Sequence, residues 1–263
     1  STMGKLPKFD IPGHVHFITT KTNRFMPLFL AHDFCRILLA NVDFYREKHN
    51  FRFLGYVIMP DHFHALIYPQ NDTPIRKILG DIKRYAAKEI RARLLQQPRT
   101  WDELGGLIVP IERLRMAYQV PAARHCLRNF RLPSLRDFEV IKPRTKGQEH
   151  QFWQEGFYDF SVYTEHKLHE KLDYMHNNPV AWRLVDDPTD YPYSSYRNYF
   201  GNSDDELPIE IIGFEMTPNA VGLPPGMERG STPIASAIEG NWSTVLLVGS
   251  RPIALAIEGN WST

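Results

Sequence analysis

The chain has few cysteines. Cys35 and Cys126 are the only two among 263 residues, and they lie far apart. That excludes a disulfide framework and a four-cysteine metal centre, and it fits a reducing, cytoplasmic setting. The chain also lacks any run of about 18 apolar residues, so neither a membrane-spanning helix nor a membrane partner is expected. It does not open on a charged stretch followed by an apolar one, so no secretory leader is expected. Excess charge is missing as well: 31 basic and 30 acidic side chains leave a formal net charge of +1. Hydrophobic content of 43% and charged content of 23% are those of an ordinary globular protein.

The near-zero balance hides an asymmetry. From Gly201 onward the acidic residues are Asp204, Asp205, Glu206, Glu210, Glu215, Glu228, Glu239 and Glu258, against Arg229 and Arg251 alone. The preceding 200 residues are therefore distinctly basic, and the bias sharpens between Arg113 and Lys146. A basic body facing a polyanion is one reading, and a solvated surface is the other. The acidic stretch is rich in Gly, Pro and Ser, which predicts irregular chain. Within it "PIASAIEGNWST" (233–244) recurs as "PIALAIEGNWST" (252–263) with one change. Two copies are too few for a solenoid.

Periodicity supplies the elements. "HVHFITT" (14–20) alternates as a strand does, and residues 30–49 have helical spacing with Phe34, Ile37, Leu38 and Val42 on one face. "FRFLGYVIMP" (51–60) and "HFHALIYP" (62–69) are two strands predicted to pair as a hairpin around Pro60-Asp61. Residues 73–95 form the clearest helix, with Thr73 as N-cap and Pro74 at the first helical position. Residues 98–150 are punctuated by prolines and read as a basic insertion. "QFWQEGFYDFSVYT" (151–164) is extended, and 164–178 is a helix expected to stop before Pro179. The order β-α-β-β-α-(insertion)-β-α matches an α+β ferredoxin-like sandwich, an antiparallel sheet with helices on one face.

The chemistry gathers around "MPDHFHALIYP" (59–69). Side chains alternate along a strand, so His62 and His64 share a face, with Phe63 on the other. Two imidazoles about 7 Å apart along a strand can converge on one divalent ion. An isolated H-x-H is weak, since "HVH" at 14–16 has the same spacing. The helix at 164–178 carries Tyr174 and Asn178 at i and i+4, on one face. An amide that helps hold a metal, beside a phenol able to attack a phosphodiester, suits strand transfer, because the covalent phosphotyrosine retains the bond energy. Glu170, four residues before Tyr174, shares its face and could assist. Tyr158, Tyr163, Tyr56 and Tyr68 read as packing residues. His166, His169 and His176 read as surface residues.

Taken together, "MPDHFHALI", the basic "IKRYAAKEI", "FWQEGFYDFSVYTE", "KLDYMHNNPV" and "YPYSSYRNY" resemble, in order over residues 11–200, the single-tyrosine HUH transposases. The resemblance is nearest to the REP-associated tyrosine transposases, of the insertion-sequence-200-like type. It implies an HUH endonuclease domain over residues 3–200, followed by the acidic segment 201–263. It also implies action on single-stranded DNA at folded hairpins through a divalent metal (Mg or Mn) held by His62, His64 and Asn178, with Tyr174 as nucleophile. The working form would be a monomer or a homodimer. DNA contacts are expected from Lys77, Lys83, Arg84, Tyr85 and Lys88 on the basic helix, and from Arg124, Arg128, Arg131, Arg144 and Lys146.

Rival chemistries fit less well. Histidine-triad hydrolases need a third alternating histidine, but position 66 is leucine, and two-histidine phosphoesterases need H-x-S/T, which neither copy has. A hairpin DNA-binding protein that kept the fold and no longer transposes is the remaining alternative.

Overall fold

The computed structural model describes residues 14–128, 130–140 and 149–200. The acidic segment with its duplicated unit, and the predicted DNA contacts Arg144 and Lys146, lie outside the described residues.

Four strands form one antiparallel sheet: β1 (Val15–Lys21), β2 (Phe51–Met59), β3 (His62–Pro69) and β4 (Tyr158–Val162), in the order β2-β3-β1-β4. This is the ferredoxin-like order, reached because α1 (His32–His49) connects β1 to β2 and leaves room between them for β3. The β2–β3 turn is the expected two-residue Pro60-Asp61 connection, with Met59 opposite His62. α1 ends at Asn50, whose left-handed backbone (φ 47°) donates its N–H to the last carbonyls. α2 (Ile75–Leu95) packs on α1.

Helix α2 starts one residue later than expected. Asn71 accepts the Thr73 backbone N–H at 3.0 Å, and extended Pro74 takes the cap position without a side-chain bond. Short helices α3 (Ile111–Ala117) and α4 (Pro121–Leu127) occupy the insertion, and Leu114, Ala117, Ala123 and Leu127 join the core.

Helix α5 (Glu165–Ala181) departs most from expectation, since Pro179 lies inside it. The proline removes a single N–H bond, and it does so in the last turn. Burial of Met175, Asn178 and Pro179 holds the turn together, and Trp182 N–H still reaches Asn178 O at 3.0 Å. Thr164 caps the other end by accepting Lys167 N–H.

Strand parity assigns the layers. Ile18, Phe63, Ala65 and Ile67 are buried on the face of α1 and α2. Phe17, Thr19, His62, His64 and Gly55 lie on the other face, and α5 covers it, seating Leu172 and Met175 over Gly55. Two helices thus share one face as expected, and the third crosses the opposite one.

The outer edge of β2 is covered by residues 191–195, ahead of α6 (Tyr196–Phe200). Ile58 N–H donates to Tyr193 O, and Ser195 N–H donates to Tyr56 O. Among the described residues, no helix is long and apolar enough to cross a membrane.

Candidate active site

His62 and His64 emerge side by side on the α5 face, their rings 4.7 Å apart between centroids and edge to face. Each is tied at Nδ1. His62 meets the buried Asp61 carboxylate at 2.6 Å, and His64 meets Thr19 Oγ1, directly opposite it on β1, at 2.7 Å. Fixing Nδ1 orients the ring and leaves Nε2 for an outside ligand. The Nε2 of His64 is buried and has no hydrogen-bond partner. A buried polar atom left unpaired is costly, and a metal ion is one partner that removes the cost. Burial, then the neighbouring His62, Lys21 and Lys171, hold His64 well below its ordinary pKa, so it is the neutral imidazole that a metal needs.

Helix α5 brings the remaining residues. Tyr174 is half exposed, with its ring 5.4 Å from that of His64 and 6.0 Å from that of Phe17. Partial burial raises its phenol pKa, and the nearby Asn178 amide works against that rise. Asn178 is buried one turn on, and its amide nitrogen makes no hydrogen bond. Among the described residues, no three His, Cys, Asp or Glu side chains cluster as metal ligands. His62, His64 and the Asn178 amide are the candidate donors for a divalent ion. Glu170 ion-pairs with Lys167 at 2.6 Å and Lys171 at 3.6 Å.

The other pair, His14 and His16, lies on the opposite sheet face. His16 is bound to Asp159 at 2.9 Å, and the His14 ring packs edge-on against Tyr163. Tyr163 is therefore remote from the His62 face. Tyr158, read as a packing residue, instead stands opposite Thr19 on the face of His62 and His64. It is 44% exposed, and its ring is 6.4 Å from that of Phe17.

His176 is also misread as a surface residue. It is buried, meets Ser195 Oγ at 2.8 Å, and is pushed down to about 4 by burial.

The basic candidates separate. Lys77 and Arg84 are exposed and share the buried carboxylate of Asp81, at 2.6 Å each. Tyr85 is exposed beneath the Arg84 guanidinium, and Lys88 is exposed on the same helix. Lys83 is held inward, donating to the carbonyls of Gln154 and Gly156 over the Trp153 ring. Arg124 and Arg128 are exposed, and Arg131 pairs with Asp137. Sequence reasoning missed Asp61, Thr19 and Trp182, whose ring lies 5.2 Å from His62. Asp61 had a signal in its place beside His62. Thr19 and Trp182 had none, because register and helix placement bring them in.

Residues 12–104 match the family model described as "Transposase IS200 like". The match contains both histidine pairs and ends before α5. No curated protein matches the chain. Among solved structures, the chain is similar to a REP-associated tyrosine transposase bound to a REP hairpin. The two are 15% identical with a TM-score of 0.49, over 81% of this chain and 96% of that one. It is also similar to a protein from Deinococcus radiodurans R1 described as a transposase, at 12% identity and a TM-score of 0.32, over 66% of this chain and 97% of that one.

Proposed function

We propose that this chain, a transposase of the IS200-like type through its residues 12–104, nicks and rejoins single-stranded DNA at folded hairpins through Tyr174. The observation that carries the reading is the convergence, on one sheet face, of a histidine pair that includes the unpartnered buried Nε2 of His64 and a half-exposed tyrosine whose ring lies 5.4 Å from that of His64.

The cycle follows from these residues. His62, His64 and Asn178 would hold a divalent ion, Mg or Mn, whose chemistry is to polarise a phosphodiester. Tyr174 loses its proton, and its oxygen attacks the scissile phosphorus. The P–O3′ bond breaks as the Tyr O–P bond forms, giving a 5′-phosphotyrosine. The departing 3′-oxygen takes up a proton. Attack by a second 3′-hydroxyl reverses these changes and releases the tyrosine, so strands are exchanged without net hydrolysis. The basic body of the chain would hold the DNA backbone, in the reducing cytoplasm.

The test is a denaturing gel of the full chain with single-stranded hairpin oligonucleotides, with Mg, with Mn and with chelator. A metal-dependent covalent adduct is expected from the wild type. Tyr174→Phe should lose it while binding the same hairpins nearly as well. An adduct that survives Tyr174→Phe would transfer the nucleophile to Tyr158, the other exposed tyrosine on this face.

A further inference from the structure

We propose that Lys171, seconded by Lys21, holds the scissile phosphate beside the histidine pair. The proposal rests on the reading of Tyr174 as the nucleophile and names two residues of that same site which no motif marks.

Lys171 lies one turn before Tyr174 on α5, on the helix face turned to the sheet. Its ammonium stands over two aromatic rings at once, 5.2 Å from the centroid of Phe17 and 5.0 Å from that of Phe160. Phe17 is also the ring stacked on His64 at 5.5 Å and met edge-on by Tyr174 at 6.0 Å. One phenylalanine therefore joins the cation, a candidate metal ligand and the nucleophile.

The ion pair of the lysine is a loose one. Its carboxylate neighbour, Glu170, is 3.6 Å away, while the other Glu170 oxygen is taken by Lys167 at 2.6 Å. Its side chain is 19% exposed, so aromatic contacts hold it where a freely solvated lysine would wander.

Lys21 approaches from the other side. It ends β1 directly opposite His62 in register, and its ammonium is 5.4 Å from the Phe25 centroid. Lys171 from α5 and Lys21 from β1 thus stand on the face of the histidine pair. Among the described residues, the carboxylate bound to this pair is Asp61, which meets Nδ1 of His62. A site built this way is cationic before any ion enters, and its complement is an anion. In a nicking reaction that anion is the phosphodiester about to be cut.

The experiment uses the full chain and a hairpin oligonucleotide that the wild type cleaves, prepared with its scissile phosphate either native or as an uncharged methylphosphonate. Wild-type affinity should fall with the neutral linkage. Lys171→Met should lose clearly less affinity than the wild type when the linkage is neutralised, and its rate of adduct formation should drop on the order of 10- to 100-fold. Lys171→Arg, which keeps the charge, should recover most of that rate, and Lys21→Met should show a smaller loss of the same kind. Thermal unfolding of each variant separates misfolding from loss of contact.

If Lys171→Met loses as much affinity on phosphate neutralisation as the wild type does, the lysine does not touch that phosphate and the proposal is overturned. A rate for Lys171→Met within twofold of wild type also overturns it, with the tyrosine reading left standing. A wild type that forms no adduct on any hairpin removes that reading, and this proposal with it.

Discussion

Gly55→Ala isolates what α5 contributes. A methyl group at this β2 position would meet Leu172 Cδ2 at 2.9 Å and Met175 Cε at 3.0 Å, with Ser195 Oγ at 3.4 Å. Those first two atoms are ends of flexible side chains, so the overpacking cost falls at the low end, about 1 kcal/mol. Replacing a strand glycine returns part of that, about 0.5 kcal/mol, through the unfolded chain. The net loss of stability should therefore be small. Activity should respond differently, because Leu172 and Met175 lie on either side of Tyr174 on α5, so whatever part of the clash their side chains do not absorb shifts that turn of the helix. A displacement of about 1 Å at a reacting group can cost about 100-fold in rate.

The expected result is unfolding by urea within about 1 kcal/mol of wild type, with adduct formation slowed by about one to two orders of magnitude. Adding Leu172→Ala should relieve the clash and restore part of the rate while lowering stability by about 2 kcal/mol or more, a non-additive pair. Gly55→Ala with full activity would mean that the seat of α5 does not set the position of Tyr174, and the argument would fail.

Two further outcomes follow. Replacing His14 and His16 together by glutamine should leave metal-dependent cleavage detectable, whereas the same change at His62 and His64 should abolish it. The opposite pattern in the gel assay would refute the assignment of the metal face. His176 predicts acid sensitivity. Burial lowers its folded pKa to about 4, while the unfolded chain takes up the proton near the ordinary 6.5. The unfolded state therefore binds more protons as pH falls between those values, and stability declines by about 2 kcal/mol from pH 7 to pH 5. Urea unfolding of wild type and His176→Gln at both pH values measures it, and an equal decline in the two proteins would exclude His176 as the cause.

What could be read from residues alone was what repeats along a single element. The period of two in 62–69 put both histidines on one face, the dipeptide Pro60-Asp61 announced the hairpin, and the i, i+4 spacing paired Tyr174 with Asn178. Spacing does not say which face of a sheet a later helix will cover. The resemblance, not spacing, chose between the two H-x-H copies, and the register of β1 adds that Thr19 and Phe17 face α5 while His16 and Ile18 face away. Local rules also yielded to packing. The rule that a helix stops before proline failed at Pro179 because three buried side chains hold the last turn, and His176 left the surface because Ser195 offers its hydroxyl. Lys83 was expected to contact DNA, and Lys171 stood in no motif. Only the folded positions of Trp153 and Phe17 show that each ammonium lies over a ring.

The donor set itself implies how the site works. The proposed ligands His62, His64 and Asn178 would all be neutral, and Asp61 would act through an imidazole and not directly. A divalent ion held only by neutral groups keeps its full charge, and two nearby lysines oppose its entry. Such a site binds an ion weakly by itself and strongly once an anion shares the space. The scissile phosphate is that anion, since it offers the oxygen ligands that the protein withholds. Metal and DNA should then bind with positive coupling, each raising the affinity for the other by the same factor. A protein arranged in this way would assemble its cutting centre when DNA is present and would leave Tyr174 without its ion when DNA is absent.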